Sequence, residues 1–177
     1  MGRYVALLRA VNVGGRKVPM ADLRATLGRL GYADVATYVQ SGNVVLTAPG
    51  SAADVARKME KAIKADFGLE VPVVVRSRDE LADVIARDPF GDAVTDPARY
   101  QVVFFPEAPP ADALDGVDLA SFAPEEVRLL GRELYAWTPG GIGRSPLLIA
   151  LGKRKVDATG TARNWRTVTK LLDLADS

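Results

Sequence analysis

The sequence predicts an α+β fold made of two small subdomains. Three observations predict it. Apolar residues make up 48% of the 177 positions and charged residues 25%, an ordinary globular balance in a chain long enough for a self-supporting core. Over residues 3–85, apolar runs of strand length alternate with amphipathic stretches of helical spacing. Residues 88–97, Asp-Pro-Phe-Gly-Asp-Ala-Val-Thr-Asp-Pro, are broken by proline and glycine, and a second series of elements follows them. The boundary is expected within residues 86–98, with one subdomain over 1–88 and the other over 89–177.

Arg3 to Arg9 reads as a strand, because Tyr4-Val5-Ala6-Leu7-Leu8 is apolar enough for burial on both faces. Pro19 suits the first turn of a helix. Met20, Leu23, Leu27 and Leu30 recur at helical spacing as core residues, and Gly31 supplies the stop. Val35, Tyr38 and Val39 mark a second strand, and Val44, Val45 and Leu46 a third. Ser41-Gly42-Asn43 is the expected turn between them, since Gly and Asn tolerate positive φ. Ser51 and Asp54 stand at capping-box spacing ahead of Val55, Met59, Ile63 and Phe67, and Gly68 ends that helix. Residues 70–76 form a further strand. The order is βαββαβ, the ferredoxin-like split unit.

The second series opens with another capping-box pattern, Ser77 with Glu80, before Leu81, Val84 and Ile85. A strand is expected over Arg99–Phe105, then a proline-rich stretch over 106–118. A hairpin follows over residues 125–138, turning at Gly131-Arg132. Ser145 and Pro146 read as N-cap and first residue of a helix carrying Leu147, Leu148 and Leu151. The last helix is expected from about Ala162 to Ala175, with Trp165, Val168, Leu172 and Ala175 on one face. The second subdomain is thus a related α+β arrangement ending in two helices.

The chain has no cysteine and no histidine. Disulfides, thiolate nucleophiles, His-based catalytic triads and thiolate or imidazole zinc sites are excluded. No metal is expected, and no cofactor is indicated. No apolar run approaches the ~20 residues that span a bilayer, and the N-terminus lacks a signal-peptide layout, so a cytoplasmic protein without membrane contact is expected. Net charge is +1 but uneven: residues 1–50 carry six Lys/Arg against two Asp, residues 77–136 five against thirteen acids, and residues 139–170 seven against one. Attraction between the basic ends and the acidic middle accounts for this more simply than a basic surface for an anionic partner.

The candidate site is the loop Asn12-Val13-Gly14-Gly15-Arg16-Lys17. In a βαββαβ unit with a right-handed crossover, the first βα loop and the β2–β3 turn emerge at one end of the sheet. Arg9, Asn12, Gly14, Gly15 and Lys17 are therefore expected near Gln40, Ser41 and Asn43. The helix from Pro19 points its N-terminus there, where free N–H groups and cations favour an anion. By residue type alone, a tight turn with locally satisfied amides explains the same residues, since neither a G-x-G-x-x-G fingerprint nor a Walker A pattern is present. Arg144 and Ser145 stand at a second polar helix start. Thr161 is the expected cap of the last helix, which places Arg163 and Asn164 in its first turn, where a cation opposes the helix dipole. Trp165 is expected in the core.

Five stretches, YVALLRAVNVGGRKVPMADLRATLGRLGY, TYVQSGNVVL, VPVVVRS, LYAWTPGGIGRS and TARNWRTVTKLLDLA, resemble in that order the bacterial family catalogued as domain of unknown function 1697. The resemblance covers nearly the whole chain. It implies two small α+β subdomains, the first ferredoxin-like, and it carries no catalytic roles. Ala10 stands where such relatives usually have glycine after the first-strand arginine.

Three functions follow for testing. The favoured one is a binding module for an anionic small molecule, phosphate-bearing or nucleotide-like. The alternative is an enzyme acting on a phosphorylated substrate, although a general base is not evident: Asp22 and Asp157 read as ordinary surface carboxylates. Nucleic-acid binding ranks last, because the central strands carry no aromatic pair for base stacking and net charge is near neutral.

Overall fold

The structure, a computed structural model, describes residues 1–177. The chain forms two compact units, one of Met1–Asp83 with Lys170–Ser177 and one of Val84–Thr169.

In the first unit the elements are β1 (Gly2–Leu8), α1 (Met20–Arg29), β2 (Ala33–Tyr38), β3 (Asn43–Ala48), α2 (Ala52–Phe67) and β4 (Val73–Ser77). The strands make one antiparallel sheet in the order β2-β3-β1-β4. β1 is central, and Tyr4 to Leu8 are buried, as their unbroken apolar run requires. One core forms from Ala6 and Leu8 of β1, Val44 and Leu46 of β3, Leu23 and Leu27 of α1, and Met59 and Ile63 of α2. Each large side chain fully buried there contributes about 1.5–3 kcal/mol.

Local signals set the helix limits. Ser51 Oγ accepts from Asp54 N at 3.2 Å while Ser51 N donates to Asp54 Oδ2 at 3.3 Å, a complete capping box. Gly68 ends α2 in the left-handed conformation, with its N–H donating to Lys64 O. Pro19 is the N-cap of α1, just ahead of its first turn, and it offers no side-chain cap. Leu30 departs from expectation. The helix stops at Arg29, so Leu30 swings out of the apolar stripe and is 36% exposed. The β2–β3 turn is Val39–Gly42, one to two residues earlier than expected, and Asn43 already belongs to β3.

α3 (Arg78–Ala86) begins with the second capping box, Ser77 N to Glu80 Oε2 at 2.8 Å and Glu80 N to Ser77 Oγ at 3.1 Å. The second unit then carries β5 (Tyr100–Phe104), β6 (Glu126–Leu130), β7 (Glu133–Trp137), α4 (Pro146–Lys153), β8 (Thr161–Asn164) and α5 (Trp165–Asp176), the last element crossing back into the first unit. Its sheet is again antiparallel, in the order β6-β7-β5-β8. Val103, Phe105, Leu134, Ala136, Leu147 and Leu151 form its core with α4.

The end of the chain differs most from expectation. Thr161–Asn164 is a strand paired with β5, and α5 starts only at Trp165. Asn164, not Thr161, caps that helix, its Oδ1 accepting from Thr167 N at 2.9 Å. Thr161, which reads as a cap, and residues 162–164, which read as the first helical turn, become β8 because the open edge of β5 offers a ladder, which outweighs local propensity. The buried face of α5 is Val168, Leu171 and Ala175, and Leu172 is only half-buried. Trp165 is half-buried and stacks on Tyr100, with ring centroids 4.8 Å apart.

Candidate functional site

Residues 9–18 leave β1, reverse direction and enter α1. Ala10, Asn12, Gly14 and Gly15 all have left-handed φ, of 55°, 57°, 55° and 82°. Two of these are glycines and one is asparagine, the residues that bear this region at least cost. The side chain of Asn12 closes the loop. Its Oδ1 accepts from Val18 N at 2.9 Å, and its Nδ2 donates to Val18 O at 3.0 Å and to Gln40 O at 2.5 Å. Asn12 N also donates to Arg16 O at 2.6 Å. Arg16 braces the other side, donating from Nε to Ala10 O at 3.0 Å and from Nη2 to Glu70 O at 2.6 Å.

The turn of residues 39–42 packs against this loop. Leu8 N donates to Gly42 O at 2.8 Å, and a Cβ on Gly42 would sit 2.7 Å from Leu8 Cβ and 2.8 Å from Val11 Cγ2. Gly42, with φ of 87°, is therefore required both sterically and conformationally. Asn43 is fully buried and donates to Tyr38 O and to Ser41 Oγ, both at 3.0 Å. It shapes the turn from within. Ser41 and Gln40 are exposed.

Arg9, Asn12, Gly14, Gly15, Lys17, Gln40, Ser41 and Asn43 thus lie at one end of the first sheet, with the N-terminus of α1 among them. They divide into two groups. Asn12 and Asn43 are framework, since hydrogen bonds within the unit engage their amides. The side chains of Arg9, Lys17 and Gln40 make no hydrogen bond or ion pair in the unit, and Gly14 and Gly15 face open space on the side where a Cβ would project. Two exposed apolar side chains, Val13 and Val39, share this end. Val39 has φ of 52°, a conformation that a β-branched residue adopts only under strain. Neither its exposure nor its backbone is signalled by the sequence, where it reads as a strand residue.

The remaining residues, in the second unit, have local duties. Ser145 is buried and caps α4, its Oγ accepting from Leu148 N at 3.0 Å. The carboxylate already at that helix start is Glu125, whose Oε1 accepts from Leu147 N at 3.1 Å. This contact was not legible in the sequence, because it joins residues 22 apart. Arg144 lies beside it, exposed, in a short 3-10 turn. Arg163 belongs to β8, so its charge does not oppose a helix dipole. Its Nη1 donates to Thr161 Oγ1 at 2.7 Å and to Ala162 O at 2.8 Å. Burial pulls its guanidinium down to about 10, which leaves it charged at neutral pH. Asn164 is the α5 cap described above.

Asp22, in the first turn of α1, and Asp157 are both exposed. No group of three or more Asp, Glu, Cys or His side chains is arranged to hold a metal ion. No helix is long and apolar enough to cross a membrane.

Residues 1–135 match the model of a family described as "Protein of unknown function (DUF1697)". No curated protein matches the chain significantly. Among solved structures, a conserved bacterial protein from Streptococcus pneumoniae is similar at a TM-score of 0.83 and 24% identity, covering 100% of this chain and 99% of its own. That likeness establishes the fold alone.

Proposed function

Because the chain belongs to the DUF1697 family of proteins of unknown function, its role has to be read from its own site, and we propose that it is a binding module for an anionic small molecule, phosphate-bearing or nucleotide-like. The observation that carries this reading is the meeting of the Asn12–Lys17 loop with the residue 39–42 turn, through the Asn12–Gln40 hydrogen bond, beside the start of α1. Arg9 and Lys17 bring two cations with no carboxylate partner to that place. The diglycine lets a ligand approach the main chain closely, and the helix terminus favours negative charge. On this reading the first unit is ferredoxin-like, from its βαββαβ order and its strand order β2-β3-β1-β4, and the protein works in the bacterial cytoplasm.

Binding is preferred to catalysis because the only carboxylate in the first turn of α1, Asp22, is exposed and ordinary. Thermal shift against a panel of nucleotides and phosphorylated metabolites tests the proposal. At least one compound raises the melting temperature of the native chain, by ligand linkage, and does so less for R9A/K17A. A panel without any shift, or shifts unchanged in the double variant, refutes it.

A further inference from the structure

We propose that the outer edge of β6 pairs antiparallel with β6 of a second copy of this chain, joining two four-stranded sheets into one. β6 ends the order β6-β7-β5-β8, so one side of its main chain has no strand beside it. The hairpin register sets Leu130 opposite Glu133 across the two-residue turn, followed by Arg128 opposite Tyr135 and Glu126 opposite Trp137. In an antiparallel ladder alternate residues direct both main-chain groups to the same side. Leu130, Arg128 and Glu126 therefore serve β7, while Val127 and Leu129 direct their N–H and C=O groups to the open edge. A groove of about 310 Å3 adjoins β6, lined by Glu126, Val127 and Arg128 together with Leu119, Ala120 and Ala123.

The side chains select the occupant. Glu126 and Arg128 are exposed, project from the same face of β6, and make no ion pair within the chain. An antiparallel copy centred on Val127 sets Glu126 against the partner's Arg128, and Arg128 against the partner's Glu126. Every charge on the strand then meets its opposite, and cross-strand pairs of this kind favour the register. The same register brings the two Val127 residues together to exchange both main-chain hydrogen bonds. Each Leu129 N–H meets the partner's Glu125 carbonyl. The Glu125 N–H is already used by Phe122 O at 2.9 Å and is not needed. Centring on Arg128 instead would oppose two like charges, which disfavours it. The edge is thus self-complementary in one register, which is what a closed two-fold dimer requires.

Sedimentation velocity on the full chain, from micromolar to millimolar concentration, tests this. The native chain shifts from monomer to dimer across the series. E126R and R128E each weaken association by about tenfold, because each places like charges in contact. The double variant E126R/R128E restores it, because the pairs are exchanged rather than removed. V127P withdraws an N–H that β7 does not use, and it abolishes the dimer while far-ultraviolet circular dichroism stays native. A native chain that remains monomeric throughout, or a double variant no better than the single ones, overturns the proposal.

Discussion

The side-chain amide of Asn12 donates to the main-chain carbonyl of Gln40 at 2.5 Å, joining segments 28 residues apart. The same side chain holds both main-chain groups of Val18. One asparagine therefore fixes the β1–α1 loop against the next turn of the sheet. Replacing it with alanine removes all three bonds and puts a residue less tolerant of left-handed φ at that position. N12A is expected to lose about 2 kcal/mol of unfolding free energy, measured by urea denaturation. It also abolishes any ligand-induced thermal shift. A variant as stable as the native chain would show that the loop is held by other contacts.

Gly42 and Gly14 separate two reasons for glycine. Both have positive φ, but only Gly42 faces atoms, Leu8 Cβ at 2.7 Å and Val11 Cγ2 at 2.8 Å from a built Cβ. G42A therefore combines strain with overpacking and costs about 2–4 kcal/mol. G14A incurs only the left-handed penalty of about 1 kcal/mol. Equal losses in chemical denaturation would contradict this account.

Tyr100 is fully buried and donates its hydroxyl to Asp88 Oδ1 at 2.7 Å, and burial pushes its phenol well above the usual value. Y100F leaves the ring in place but removes a donor from the carboxylate, at a cost of about 1–2 kcal/mol. Y100L also removes the face on which Trp165 stacks. Since Trp137 and Trp165 are the two tryptophans, the indole emission of Y100L shifts while that of Y100F does not.

Stability against pH follows from which groups titrate. Asp54 is held below the usual carboxylate range chiefly by its hydrogen bond from Arg57, Asp66 by that from Thr26, and Asp176 by that from Arg78. A depressed folded pKa adds stability above the unfolded value of about 3.9, and that stability is lost as pH falls through the folded value. The urea midpoint should therefore drop below about pH 4, and less steeply in D66N. With no histidine, the midpoint stays level between about pH 5 and 8. A sigmoidal change within that window would contradict this account.

Much of the first unit was legible because its signals are local. The Ser51–Asp54 and Ser77–Glu80 boxes, the Gly68 stop and the apolar spacing of Leu23, Leu27, Met59 and Ile63 depend on neighbours within a few residues. The convergence of the Asn12 loop with the Gln40 turn was legible too, since right-handed crossovers leave a βαββαβ chain few alternatives. What residue type could not show was the division of labour at that end. Asn12 and Asn43 read as ligand groups, yet both point their amides into the fold.

The α+β class, the order of elements in the first unit, the division into two parts and the absence of cysteine and histidine chemistry are all written in the sequence. Tertiary structure alone decided that Thr161–Asn164 would be a strand, that Glu125 would meet the α4 terminus, that Leu30 would face water and that the chain would return to its first unit at Lys170. The physical reason is the range of the interactions involved. Caps, turns and periodicity act between near neighbours and are written in short stretches, whereas an unpaired sheet edge or an orphan helix N–H is satisfied by whichever distant segment the fold brings to it.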